Sequence, residues 1–384
     1  MTTATRRYDA LELYPAQLPP DTEDLRRAVR EFLAEELAAG SFVPTPDSWI
    51  VGADPEFTRK LGARGWLGMT IPAEYGGGGR SPLERFVVVE ELLAAGAPVG
   101  AHWVADRQVA PGLLNFGTEA QKRRYLPGIA SGECLFAIGL SEPDTGSDLA
   151  SVRTRATRTD GGWTVRGTKI WTSGAHLAHA ICALVRTGDP SASRHEGLSQ
   201  MLIPVPDERV VIRPIVSLSG GHHFNEVVFD DVFVPDDMVL GEIGNGWAQV
   251  GAELAFERSG PERILSTTPL LRLLADRDLL DSRTLGRLVS RMWSLREASI
   301  AIAVSLSKGQ APDTAAALVK DLGTRFEREV IEAARTTGVE PDLGSDDPLA
   351  RMLAVAITSS PTATLRGGTN EILRGIVARA LGVR

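Results

Sequence analysis

Between Asp21 and about Ile129, apolar residues return at steps of three and four. Leu25, Val29, Phe32, Leu33 and Leu37 form one such series, and Phe57, Leu61 and Leu67 form the next. That is the period of helices with one buried face, so residues 1–130 are expected to form an all-α domain. The run Ile71-Pro-Ala-Glu-Tyr-Gly-Gly-Gly-Gly79 punctuates it with an irregular loop. From about residue 131 the pattern changes to β-branched and aromatic runs separated by turn residues, which reads as strands. Arg153–Thr159 and Trp163–Arg166 flank Asp160-Gly161-Gly162, a hairpin signal because Asp-Gly tolerates the positive φ of a tight turn. Residues 180–185, 200–205, 210–213 and 225–230 supply four further strand candidates. The helical period returns from Gly246, in segments near 247–259, 283–307, 311–336 and 369–381, like a helical bundle. The expected fold is therefore α+β and multidomain: an N-terminal α domain (1–130), a middle antiparallel β domain (131–239) and a C-terminal four-helix bundle (240–384).

Composition narrows the class. A chain of 384 residues is long enough for about two to three domains, and 43% hydrophobic with 23% charged residues is a globular balance. With 41 basic against 49 acidic residues, the net charge of −8 offers no global field for nucleic acid or anionic lipid. The most apolar stretch, Phe86–Val104, is broken by Glu90 and Glu91, so no membrane span is expected. Two cysteines, Cys134 and Cys182, cannot build a disulfide framework, and residues 1–20 carry no apolar signal core. A cytoplasmic protein without nucleic acid or membrane partners is the expectation.

No phosphate-cradling GxxxxGK[ST] occurs, and the glycine clusters at 76–79 and 241–246 do not lie between a strand and a helix of a βαβ unit. His176, His179, His222 and His223 lack an accompanying carboxylate or thiol cluster, so no metal site is expected. The informative stretch is Ile138-Gly-Leu140-Ser141-Glu142-Pro-Asp-Thr-Gly-Ser147-Asp148. A strand ends there in a turn whose backbone N–H groups can converge on an anion or a polar ring edge; an ordinary acidic turn is the alternative. Some 25 residues on, Lys169-Ile-Trp171-Thr172-Ser173 ends a strand with an aromatic plane beside two hydroxyls, which suits a flat cofactor.

Taken in order, these segments resemble the acyl-CoA dehydrogenase family over nearly the whole chain. Gly65–Gly77, Gly117-Thr-Glu-Ala-Gln-Lys, Tyr125-Leu-Pro-Gly, the Leu-Ser-Glu-Pro turn, Gly167-Thr-Lys-Ile-Trp-Thr-Ser, Phe229–Asp237 and Gly368-Thr-Asn-Glu-Ile-Leu-Arg374 carry the likeness. The resemblance implies FAD as cofactor, with Leu140 and Ser141 at the flavin pyrimidine edge, Trp171, Thr172 and Ser173 along the isoalloxazine, and Ser147 facing CoA. Hydrogen bonds from such groups stabilise charge on a reduced ring. Gly367-Gly368-Thr369 opens a helix whose free N–H groups suit the FAD phosphates or adenosine region, with Glu371 in its first turn. The family's Arg-x-x-Phe-Gly segment, which reaches a neighbour's FAD, is represented only by Ser282-Arg283-Thr-Leu-Gly286.

Many members carry the proton-abstracting glutamate in a Glu-Gly-Thr segment, where this chain has Gly367. A minority branch, typified by isovaleryl-CoA and long-chain acyl-CoA dehydrogenases, carries it on an earlier helix before an arginine. Here that places Glu257 before Arg258, on the helix whose stripe is Trp247, Val250 and Leu254. Glu257 is thus the expected base and Arg258 a substrate contact, with Glu253 and Glu371 as lesser carboxylate candidates. Gly367 retains an amide for the thioester oxygen, and a glutamate restored there is expected to replace Glu257 in part. The implied reaction converts an acyl-CoA, or an acyl-carrier-protein thioester, to its trans-2-enoyl product. Implied partners are an electron-transfer flavoprotein and further copies of the chain in a homodimer or homotetramer. Two alternatives stay open: a flavin monooxygenase or oxidase on the same fold, and a non-catalytic dehydrogenase-like subunit.

Overall fold

A computed structural model describes residues 11, 13, 15–188, 193–258, 260–310 and 312–383, with only the backbone described for 254–258. The chain divides into two compact units. One comprises residues 53–80 and 100–254, the other residues 1–52, 81–99 and 255–384.

The first unit is built on an eight-stranded sheet: β1 (Phe136–Gly139), β2 (Arg155–Thr159), β3 (Gly162–Ser173), β4 (Ala180–Arg186), β5 (Leu198–Pro204), β6 (Val210–Val216), β7 (His222–Pro235) and β8 (Val239–Leu240). The path runs β6-β7-β3-β2-β4-β5-β8, with β1 beside β4. Most pairings are antiparallel; β1 and β2 meet β4 in parallel. The Asp160-Gly161 turn closes the expected β2–β3 hairpin, in register from Arg155 opposite Arg166 to Thr159 opposite Gly162. β4 is buried along its whole length, which explains its unbroken apolar run. Helices Glu119–Ser131 and Ala110–Phe116 add Leu113, Leu126 and Ile129 to the same core as Ile181, Ile203 and Phe229.

At the end of β1 the sheet encloses a charge. Lys169 of β3 is fully buried, and Gly139 lets its stem pass, since a Cβ there would stand 3.2 Å from Lys169 Cγ. Its Nζ donates to Leu140 O at 3.0 Å and to Glu142 Oε1 at 2.8 Å. The Glu142 carboxylate also accepts from the backbone N–H groups of Arg153 (2.6 Å) and Thr154 (2.9 Å). Burial opposes the Glu142 charge, but Lys169 and these hydrogen bonds outweigh it and hold the acid below its ordinary range. Burial pulls Lys169 down to about 8, against the attraction of Glu142.

The second unit is helical. Helix Pro82–Ala94 is buried from Phe86 to Leu93, which accounts for the apolar stretch noted in the sequence. Its Glu90 and Glu91 are neutralised by Arg26 of helix Thr22–Ala38, with Arg30 on Glu91 and Arg296 of helix Ser282–Ser307 on Glu90. Among the described residues, no helix is long and apolar enough to cross a membrane. Helices Asp313–Arg335 and Asn370–Ala380 follow the expected segments, whereas Thr268–Asp276 and Pro348–Ala363 were not anticipated. Both begin with proline in the first turn, a residue that marks a helix start as readily as a break.

The buried carboxyl of Glu327, on helix Asp313–Arg335, is pushed up to about 8 by burial and by Asp47, against the pull of Arg366 and Arg263. Its folded-state pKa exceeds the unfolded one, so its contribution to stability is complete below about pH 4.5 and is lost as pH rises to about 8. Glu327→Gln should flatten this part of a melting curve series run from pH 5 to 9, by about 2–4 °C for each kcal/mol involved; equal slopes for both proteins would refute the assignment. Lys169→Met leaves Glu142 uncompensated in the interior and should cost about 3–5 kcal/mol in urea unfolding. A loss below about 1 kcal/mol, the size of an exposed pair, would mean that the pair does not brace the turn.

Candidate active site

The brace sets the geometry of the turn that follows β1. With Leu140 O and Glu142 fixed by Lys169, Ser141 O accepts from Ile170 N at 2.9 Å, which ties the turn to β3. Glu142 and Thr145 close the turn through reciprocal backbone bonds of 2.8 and 2.9 Å. Ser147 and Asp148 lie exposed on its far side.

β3 departs from regular pairing with β7 between Lys169 and Thr172. Within that irregularity Trp171 has φ 59°, a left-handed backbone that a bulky residue rarely adopts and that costs about 1–3 kcal/mol. Its indole is 56% exposed, with one edge on Phe224 at 5.8 Å between centroids. Strained backbone of this kind clusters at ligand-binding and active sites. The Ser141–Ile170 and Leu140–Lys169 bonds join the segment of Leu140 and Ser141 to that of Trp171, Thr172 and Ser173. Thr172 is buried, and its Oγ1 has no hydrogen-bond partner among the described residues.

Asn225 of β7 was not anticipated. It is fully buried, and its Nδ2 donates to Thr172 O at 3.0 Å. Its amide also meets His222 (2.8 Å) and His176 (3.2 Å), whose rings stack at 4.0 Å. Burial and the neighbouring His222 lower the His176 pKa. The signal was present in the sequence: Asn225 shares its parity with Val227 and Phe229, the inward face of β7.

In the helical unit, the segment at 367–369 has its own buried lysine. Lys320 Nζ donates to Gly368 O at 2.9 Å and to Asn370 Oδ1 at 3.0 Å. Thr369 caps helix Asn370–Ala380, accepting from Ile372 N, and Glu371 is exposed in its first turn. Gly367 has φ 64° and Gly368 φ 90°. An L side chain at 367 would be strained by about 1–2 kcal/mol, a cost that a glutamate placed there to replace Glu257 in part would carry. Arg366 anchors the segment from the other side, through Asp47 at 2.8 Å and the Trp49 ring at 4.6 Å. Arg283 is exposed at the start of helix Ser282–Ser307, beside the capping Asp281.

Glu257 and Arg258 fall within helix Gly246–Arg258, but their side chains, with that of Leu254, lie outside the described residues. Earlier on this helix, Val250 is buried with Leu184 and Leu198. Trp247 is partly exposed against His195 at 4.3 Å, not in the core. Glu253 accepts from Gln200 Nε2 at 3.1 Å. His102 is buried against Thr58 at 3.0 Å, and Arg107 lies over Trp103 in a π-helical turn, Ala105–Val109.

Two family models match in sequence order: "Acyl-CoA dehydrogenase, N-terminal domain" over residues 19–133, and "Acyl-CoA dehydrogenase, middle domain" over residues 137–232. The chain is 33% identical to acyl-CoA dehydrogenase IpdE1 of Mycobacterium tuberculosis, over 94% of this chain and 98% of that one. Among solved structures, the Tcur3481-Tcur3483 steroid ACAD superposes with a TM-score of 0.83 at 31% identity, covering 96% of this chain and 99% of the other. The ChsE4-ChsE5 complex from Mycobacterium tuberculosis gives a TM-score of 0.80 at 29% identity, covering 97% and 100%. With these matches spanning both the sheet and the helices, the chain belongs to the acyl-CoA dehydrogenase family.

Proposed function

We propose that this chain catalyses the FAD-dependent α,β-dehydrogenation of an acyl-CoA thioester to the trans-2-enoyl-CoA. The observation that carries the reading is the hydrogen-bonded junction of Ser141 with β3, where a strained backbone displays the Trp171 indole. These groups fit a flavin: an exposed aromatic plane, a turn with backbone donors and the unpartnered Thr172 hydroxyl lie at one sheet end. Leu140, Ser141, Trp171, Thr172 and Ser173 would hold the ring. Gly368, Thr369 and Glu371, at a helix start, would meet the phosphate-bearing part, with Arg283 a further contact. When bound, FAD supplies the acceptor for the hydride that leaves the β-carbon.

The chain's own residues manage the proton. The Glu257 carboxylate takes it from the α-carbon, and enclosure against an acyl chain would disfavour the charged acid and lift its pKa toward the working pH. The Gly367 N–H donates to the thioester oxygen as negative charge grows there. Ser147 and Arg258 would contact the thioester substrate. The likeness to a steroid ACAD supports a bulky, ring-bearing acyl group, and electrons would leave to an electron-transfer flavoprotein.

A second reading makes this chain one half of a two-chain enzyme rather than a homo-oligomer. It is favoured by Gly367 standing where many members keep an acid, and by relatives solved as a complex. A chain that remains colourless after FAD reconstitution alone, but turns yellow when co-expressed with a second family member, would establish it.

Anaerobic bleaching of the flavin across short, branched, long and steroid-derived acyl-CoAs tests the main reading; no bleaching with any of them would reject it. Glu257→Gln should keep FAD and lower the bleaching rate by about 10²–10⁴-fold, the size of a general-base contribution. A near-normal rate in that variant would exclude Glu257 as the base.

A further inference from the structure

Helix Asp313–Arg335 reaches the glycine segment at 366–370 from two points on one face. Lys320 and Glu327 are two helical turns apart and so lie in line. Lys320 secures Gly368 O and Asn370, and Glu327 lines a small cavity with Arg366. Glycines at 367 and 368 cannot stiffen the backbone between these anchors. The Gly367 N–H belongs to the peptide unit that Arg366 begins, so the hold on Arg366 aims that amide.

The charges around Glu327 already balance without it. Arg366 Nη1 donates to both oxygens of Asp47, at 2.9 and 2.8 Å, and Arg263 Nε stands 3.7 Å from Glu262 Oε1. Both guanidiniums lie over the Trp49 ring, at 4.6 and 4.8 Å. Two cations therefore meet two anions, and an ionised Glu327 would be a third anion in the interior with no cation of its own.

Hydrogen bonding favours the same neutral form. Glu327 meets the Ser266 hydroxyl, whose proton is directed to Glu262 O at 2.7 Å and one of whose lone pairs accepts from Trp49 Nε1 at 2.9 Å. Only an acceptor is left on Ser266; a protonated carboxyl can donate to it, and a carboxylate cannot. The cavity between Asp47, Thr267, Glu327 and Arg366 measures about 20 Å³, room for one water. Thr267 Oγ1, Glu327 Oε1 and Arg366 Nε are buried there with no protein partner among the described residues. Arg366 thus has a donor beyond those given to Asp47, and Glu327 has an oxygen able to take it. Of the other charges on the helices packed around Glu327, Arg287 and Arg291 pair with Glu329, Arg296 with Glu90 and Arg374 with Asp321. Arg351 donates to Ser345 O, and Arg272, Asp276 and Arg328 are exposed.

We infer that Glu327 is a positioning residue for the Gly367 amide: with its proton in place it leaves Arg366 to Asp47, and on ionising it draws Arg366 away and lets that amide turn. The inference rests on the acyl-thioester reading above, which gives the Gly367 N–H its task.

The test follows kcat and KM of the FAD-loaded wild type, Glu327→Gln and Asp47→Asn from pH 6.5 to 9.5, with flavin absorbance read at each pH. Hydrogen exchange of the Arg366 and Asn370 amides, which donate to Thr362 O and Thr364 O, reports the segment without turnover. Wild-type kcat should fall about tenfold per pH unit above about 8. KM should hardly change, because the amide acts on charge that grows in the transition state. At pH 9 both amides should exchange about threefold or more faster in the wild type than in Glu327→Gln, and at pH 6.5 equally. Glu327→Gln cannot ionise, so its kcat should not show the fall. Asp47→Asn keeps a residue that tolerates the left-handed backbone at φ 57° and removes an anion that opposes ionisation of Glu327, so its fall should begin at lower pH. The same fall in Glu327→Gln as in the wild type, or equal exchange in both at every pH, would overturn the positioning role and leave the dehydrogenase reading intact. Exchange that depends on Glu327 in a wild type that turns over no acyl-CoA would instead overturn the dehydrogenase reading and keep the link between Glu327 and the segment. Should Glu327→Gln fail to fold, Asp47→Asn decides: a fall at the wild-type pH would overturn the proposal.

Discussion

An ammonium enclosed in the sheet is the constraint on which the proposed chemistry depends. Lys169 has no solvent to offset the cost of its burial, so it must be satisfied by fixed oxygens, and those oxygens belong to Leu140 and Glu142. Meeting that demand orders the chain from 140 to 154, because Glu142 in turn engages the amides of Arg153 and Thr154. The turn is therefore specified from within the sheet, while its outer residues remain open to a ligand. The helical unit repeats the device with Lys320, which secures Gly368 O and Asn370. In both units a lysine that cannot reach water is what gives a glycine- or serine-rich segment a single conformation.

Much of the fold was legible because its elements obey one period at a time. β4 reads as a continuous apolar run and is buried on both faces, and the Asp160-Gly161 turn closes the expected hairpin. What periodicity could not reveal is how pieces distant in the chain share one core. Helix Thr22–Ala38 packs on Pro82–Ala94, and the latter on Ser282–Ser307, so the first helical third contributes to both compact units. Thr268–Asp276 and Pro348–Ala363 each carry proline in the first turn, a helix start that apolar periodicity does not mark.

The candidate site was legible where it rests on residue type and order, as in the turn at 140–148 and the strand end at 169–173. It was not legible where residues act through burial. Nothing in the sequence distinguishes Lys169 or Lys320 from a surface lysine, and charge alone would place both in water. Asn225 lies in an expected strand and on its inward face, but a role for it emerges only from its partners at Thr172, His176 and His222.

The left-handed backbone at Trp171 has a consequence for recognition. An indole held outward by its own main chain, itself tied to Ser141 through Ile170, has its orientation settled before any guest arrives. A planar guest then forfeits little freedom on the protein's side when it stacks, because the ordering penalty was met during folding. Chain collapse, rather than the encounter, has done the work of alignment.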